Sequence, residues 1–227
     1  MSSRVRIREI HPAGVGPDEL VGRHAFAGVS IGNPAYTASR LPRLLQWATA
    51  RFATFQLVMG DDLHRHNWIG KAKGDAGKAR ALAVAESIPT HCLLRDVVSG
   101  YPGDRVRIVS SESIYGDPAF SRLCDTVTRH YHRSAEFCKV VSDDVEGFIR
   151  RRRRGVSPSR LAEVSPEQCV AYVLEELAIF SFLVSRGSTV QIYPGTNLSV
   201  LKRLSDRTLE APTTDLSNQI CVDLSMD

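Results

Sequence analysis

The sequence predicts an α/β domain whose central, mostly parallel sheet carries helices on its faces. Three observations predict it: two short apolar runs, His24 to Ser30 and Phe55 to Gly60, have the length and punctuation of buried strands; the segment between them repeats its apolar residues at helical spacing; and strand, helix, strand in succession is the mark of a parallel βαβ unit. A chain of 227 residues with 43% hydrophobic and 24% charged content can bury one core of this kind. A single domain is therefore expected over residues 23–205, between an N-terminal tail (1–22) and a polar, loosely ordered C-terminal tail (206–227).

Element by element, HAFAGVS ends in small residues, and Gly32, Asn33 and Pro34 then break the strand into a loop. Leu41, Leu44, Leu45, Ala48 and Phe52 form the apolar stripe of the first helix. FQLVMG, closed by Asp61 and Asp62, returns as the second strand, and a right-handed crossover makes this half Rossmann-like. Residues 71–88 are alanine-rich and predict a helix whose outer face carries Lys71, Lys73, Lys78 and Arg80. RVRIVS at 105–110 is a further strand, 118–141 is largely helical, and 143–149 leads into five arginines, 150–154, with Gly155 as the helix stop. A turn is expected at Ser157-Pro158. Ser165-Pro166-Glu167-Gln168 is a helix start with a capping box, and STVQIY at 188–193 is the late strand.

Composition excludes several classes. The first nine residues hold Arg4, Arg6 and Arg8 and no apolar core, so they read as neither a secretory signal nor an anchor, and no later apolar run approaches a membrane span. A cytoplasmic location is expected. Five widely spaced cysteines without a CxxC pair suggest buried reduced thiols. His64 and His66 near Asp61 and Asp62 read as solvated side chains, and no metal is placed. The net charge of +4 is mild, so local basic clusters matter more than the total.

Gly28-Val29-Ser30-Ile31-Gly32 matches G-x-S-x-G, which raises an α/β-hydrolase with Ser30 as nucleophile. The order of residues opposes it. The histidine of that triad comes last, whereas the final histidine here is His132, and Pro34 interrupts the turn that should run straight into a helix. Tyr172 and Glu176, four apart, share a helix face within the most apolar segment, with Glu175 one position aside; an ionisable group there needs a partner or a function.

Taken in order, GVS-x-GN after the first strand, LLQWA with Arg51-Phe52 on the first helix, YVLEE on the late helix and a strand ending in Tyr193-Pro194 resemble the cyclodipeptide synthases, across roughly 23–204. That family is similar to the catalytic domains of class I tyrosyl- and tryptophanyl-tRNA synthetases without their ATP-binding motifs, and neither HIGH nor KMSKS occurs here. The resemblance implies Ser30 as the nucleophile that takes an aminoacyl group from tRNA, with Gly28 leaving room for substrate and Asn33 supporting the loop. It implies Tyr172 and Glu176 as the holders of the α-ammonium, Tyr193 as the tyrosine of cyclisation, and Phe26, Gly28 and Val58 as walls of a first, apolar pocket. Two aminoacyl-tRNAs are the implied partners, gripped by Lys71, Lys73, Lys78 and Arg80 and by the arginine run, Arg151 and Arg152 included. The implied enzyme is a monomer needing no ATP, metal, DNA or membrane. Asn33 beside Pro194 combines features of two branches and leaves the subfamily open. An esterase using Ser30 and a non-catalytic tRNA-binding module are the rival readings.

Overall fold

A computed structural model describes residues 5–155 and 165–226, without the side chains of 152–155. The turn expected at Ser157-Pro158 and the side chain of Arg152 lie outside the described residues. Six strands form one sheet: β1 (Val5–His11), β2 (His24–Val29), β3 (Thr54–Met59), β4 (Val106–Val109), β5 (Val190–Tyr193) and β6 (Ile220–Met226), ordered β1-β6-β5-β2-β3-β4. All neighbours are parallel except β1 and β6.

The helices are α1 (Leu41–Thr49), α2 (Ala76–Val98), α3 (Ser111–Tyr115), α4 (Pro118–Arg133), α5 (Ala135–Gly155), α6 (Pro166–Ser185), α7 (Ser199–Ser205) and α8 (Thr214–Ser217). They cover both faces of the sheet, which explains why β2 and β3 read as continuous apolar runs rather than alternating ones. On one face Ala25, Ala27, Val29, Leu57 and Ile192 pack with Leu41, Leu44, Leu45 and Ala48 of α1 and Leu94 of α2. On the other, Phe26, Val58 and Cys221 pack with residues of α4, α5, α6, α7 and α8.

Several expectations need correction. Neither flank is a tail: β1 and β6 pair antiparallel from Val5–Met226 to His11–Cys221 and extend the sheet past β5. The helix expected from 71 begins at Ala76, because Gly74 turns the chain with φ +83° and the Asp75 side chain then caps the helix by accepting from the Lys78 N–H. The helical stretch from 118 divides at Ser134, which is extended and whose hydroxyl accepts from the Phe137 N–H to start α5. The capping box at Ser165 and Gln168 is present, with both reciprocal bonds.

α6 is long and apolar enough, by length and composition, to cross a membrane, with mean hydropathy 1.5. The expectation of no such segment came from searching for uninterrupted apolar runs, which Glu175 and Glu176 break. In the fold that apolar surface is spent internally, 61% of the stretch being buried against the sheet and the other helices. None of the five cysteines is in a disulfide, but only Cys169 and Cys221 are buried, and Cys92 is exposed.

Candidate active site

Strand order reverses beside β2: the chain runs outward to β3 and β4 on one side, and β5 and β6 fill the other. In open α/β sheets the crevice beyond the carboxyl end of the strands at such a point is where ligands bind. Ser30 follows the last residue of β2, so topology alone puts its hydroxyl there. The next residues form a tight loop: the Asn33 N–H donates to the Ser30 carbonyl at 3.1 Å, and Asn33 Oδ1 accepts from the Ala35 N–H at 2.9 Å. Asn33 thus shapes the loop from behind without lining the cleft.

The cleft, of about 290 Å³ and partly open to solvent, is lined by Gly28, Val29 and Ser30 of β2 and its end, Val58 and Met59 of β3 with Gly60 and Leu63 after it, and Tyr172, Glu176, Ile179 and Phe180 of α6. A Cβ on Gly28 would lie 3.7 Å from the Phe180 ring, an ordinary contact, so glycine there keeps cleft space open rather than relieving a clash. Phe26 departs from its expected place as a wall. It is fully buried behind Phe180, the two rings tilted by 53° with centroids 5.3 Å apart, and the Phe180 ring lines the cleft in its stead. Met59, Leu63, Ile179 and Phe180 are lining residues the sequence reading passed over; the i, i+3, i+4 spacing of Tyr172, Glu176, Ile179 and Phe180 on one helix face could have found the last two.

Electrostatics set Glu176 apart. Burial raises its carboxyl to about 7, so near neutral pH it exchanges between acid and carboxylate. Tyr172 is pushed well up, by burial and then by the charges of Glu176 and Tyr193. Tyr193 does not line the cleft but stands within its field: burial and Glu176 raise its phenol, while Arg151 works in the opposite direction. Tyr36 joins this group unannounced by sequence. It is buried, its hydroxyl donates to the Gly28 carbonyl at 2.8 Å, and burial with the charges of Tyr193 and Glu176 raises its pKa.

Glu175, one residue away, belongs to a different network. Arg65 donates to both of its oxygens, at 2.8 and 2.7 Å, His66 Nε2 lies at 2.8 Å, and the Tyr115 hydroxyl also donates to it. Burial alone would raise this carboxyl, but the His66 and Arg65 hydrogen bonds outweigh it and hold Glu175 at about 2. His66 is therefore bonded, not solvated, and His64 likewise pairs with Glu86 at 3.0 Å. Among the described residues no group of three or more histidines, cysteines or carboxylates is placed to hold a metal ion.

The basic residues scatter. Lys71, Lys73 and Lys78 are exposed, Lys71 over the Trp68 ring at 4.4 Å and Lys73 with φ +54° in the turn before α2. Arg80 is already engaged, its Nε 2.9 Å from the buried Asp62 carboxylate. Arg151 is exposed near the end of α5, on the side whose charge reaches Tyr193.

The fold is shared with known proteins: a Mycobacterium tuberculosis structure described as demonstrating that cyclodipeptide synthetases are related to type I tRNA synthetases superposes with TM-score 0.70 at 21% identity, over 91% of this chain and 87% of that one. A cyclodipeptide synthase structure from Fluoribacter dumoffii superposes with TM-score 0.81 at 15% identity over all of both chains. The model of the cyclodipeptide synthase family matches residues 20–215, and the chain belongs to that family. A curated relative, cyclo(L-leucyl-L-phenylalanyl) synthase of Streptomyces noursei, is 26% identical over 164 residues, which is 70% of this chain and 66% of the relative. A synthase from Candidatus Glomeribacter gigasporarum, solved bound to Phe-tRNAPhe, has TM-score 0.63 at 14% identity, over 91% and 88% of the two chains.

Proposed function

We propose that this protein is a tRNA-dependent cyclodipeptide synthase working by a ping-pong mechanism through Ser30. The observation that carries the proposal is the convergence, in one cleft at the end of β2, of the Ser30 hydroxyl with Tyr172 and a cation-seeking carboxylate, Glu176. A buried carboxylate with no cation among the described residues lining its cleft is the complement of an α-ammonium: the incoming aminoacyl group supplies the charge, and Tyr172 lies one turn away to share in holding it.

In the first step Ser30 Oγ bonds to the ester carbonyl carbon, the ribose oxygen leaves, and the hydroxyl proton passes to that oxygen, giving aminoacyl-enzyme and free tRNA. The amine of a second aminoacyl-tRNA then attacks the acyl carbon, and the dipeptide returns to Ser30 as dipeptidyl-enzyme, releasing the second tRNA. Its free amine finally displaces Ser30 Oγ and closes the diketopiperazine, with Tyr193 passing the proton. Since both substrates arrive as esters, the reaction needs neither ATP nor a metal, and orientation supplies much of the rate. No histidine lines the described cleft, which suits an activated ester better than the esterase reading.

The partners are two aminoacyl-tRNAs, in keeping with the relative solved with Phe-tRNAPhe. Lys71, Lys73 and Lys78 form one docking patch for the phosphate backbone, and Arg150 and Arg151 at the end of α5, where the charge of Arg151 reaches Tyr193, form a second. The cytoplasm, where charged tRNA circulates, is the proposed location, and a monomer suffices for every step. The test is mass spectrometry of medium from bacteria expressing the chain or Ser30→Ala. Cyclic-dipeptide masses present in the first culture and absent from the second support the reaction and name the amino acids. A wild-type culture with folded protein and no such mass overturns it.

A further inference from the structure

β6 lies beyond the part of the chain that the family model matches, yet its Asp223 is 2% exposed and stands opposite Tyr193 in register. In a parallel pair, residues in register project to the same face, here the face that α6 covers. After Tyr193 the chain reverses over Pro194, the Gly195 N–H donating to the Tyr193 carbonyl at 2.9 Å. The turn lies against the phenol so closely that a Cβ on Gly195 would fall 2.8 Å from Tyr193 Cε1 and 3.2 Å from Cδ1. Two residues on, the backbone N–H and side-chain Nδ2 of Asn197 both donate to Asp223 Oδ1, at 2.9 and 2.8 Å. Lys202 Nζ holds the other oxygen at 2.8 Å and also pairs with Glu9 of β1. A buried carboxylate thus pins a four-residue strap, 194–197, whose first half rests on the ring of Tyr193.

We propose that Asp223 and the strap it pins form a positioning device for Tyr193, fixing the orientation in which its hydroxyl serves ring closure. The inference rests on the role given to Tyr193 above. In that step the dipeptide's amine nitrogen bonds to the ester carbonyl carbon, the bond to Ser30 Oγ breaks, and one proton leaves the amine while one returns to Oγ. Acylation of Ser30 precedes all of this and makes no demand on the phenol. A slack strap therefore shows itself in ring closure alone.

The test uses the full chain with bulk bacterial tRNA charged with all standard amino acids. Intact-protein mass spectrometry follows aminoacyl- and dipeptidyl-enzyme, and the same samples are assayed for cyclic product. Gly195→Ala, Asn197→Ala and Asp223→Ala are expected to behave as Tyr193→Phe does: Ser30 acylation within about twofold of wild type, cyclic product down by at least about tenfold, dipeptidyl-enzyme accumulating. Asp223→Asn, which retains an oxygen acceptor for Asn197, is expected to restore ring closure to within about threefold of wild type. Gly195→Ala, in a partly buried turn away from the Asp223 carboxylate, tests the contact even if Asp223→Ala fails to fold. A Tyr193→Phe enzyme with defective ring closure beside Gly195→Ala and Asn197→Ala enzymes with normal ring closure overturns the strap alone. Tyr193→Phe with normal ring closure overturns the role of the tyrosine, and the strap with it. Acylation and closure lost in parallel in folded Gly195→Ala also overturns the inference.

Discussion

Glu175 and Glu176 are neighbours on one helix, both buried against its surroundings, and their environments drive them apart. Toward the 3-10 turn at Leu63–Asn67, Glu175 meets Arg65, His66 and Tyr115 and is held at about 2. Toward the cleft, Glu176 meets tyrosines and apolar rings and is raised to about 7. One carboxylate is paired within the protein, and the other has no cation among the described residues that line its cleft. The difference teaches that packed neighbours, not place on the helix, set the charge of adjacent carboxyls.

The largest effect expected from breaking this contrast comes on the Glu175 side. Arg65→Met removes both guanidinium bonds and strands a buried charge, and should cost about 3–5 kcal/mol of stability, read by urea denaturation. Next is Glu176→Gln, which keeps the shape and discards the charge: kcat/KM for cyclic product should fall at least about 100-fold. The same variant should become more stable at pH 8, by at most about 3 kcal/mol, read from the melting temperature.

The two carboxyls also give opposite pH signs. Raised above its unfolded value of 4.5, Glu176 binds its proton more tightly in the folded state, so its contribution to stability falls as pH rises from 4.5 through about 7. Glu175 is depressed, so its contribution is full above 4.5 and is lost as pH falls toward about 2. In activity, kcat/KM should drop about tenfold per pH unit below about 7, as the carboxylate proposed to meet the ammonium is protonated, and Glu176→Gln should erase that acid limb. The smallest expected change is Tyr115→Phe, which deletes one of several bonds to Glu175 and should cost about 1 kcal/mol in chemical denaturation without shifting the pH profile.

The same contrast explains what the sequence made legible. Tyr172 and Glu176 could be placed together because a helix fixes its own i, i+4 neighbours, and Ser30 could be placed at a strand end because the apolar run stops there. The partners of Glu175 could not, since Arg65 lies 110 residues away and nothing local binds the two. Long range also hid β1 and β6, whose pairing joins the two flanks of the chain. The period-two alternation of Ile220, Val222, Leu224 and Met226 was the available signal, masked by the polar residues before it. Arg80 looked like a free cation on a helix face because its partner, Asp62, lies under a turn that no periodicity reports.

The sheet order carries a consequence for how the chain is made. β1 has β6 as its one partner in the sheet, and β5 reaches the rest of the sheet through β2. During synthesis residues 5–11 emerge with no strand to pair with until 220–226 have left the ribosome, while the β2-β3-β4 half, with its short sequence separations, can assemble early. Ser30 can thus be seated before residues 220–226 are made, whereas the turn after Tyr193 is fastened only once that later strand is in place.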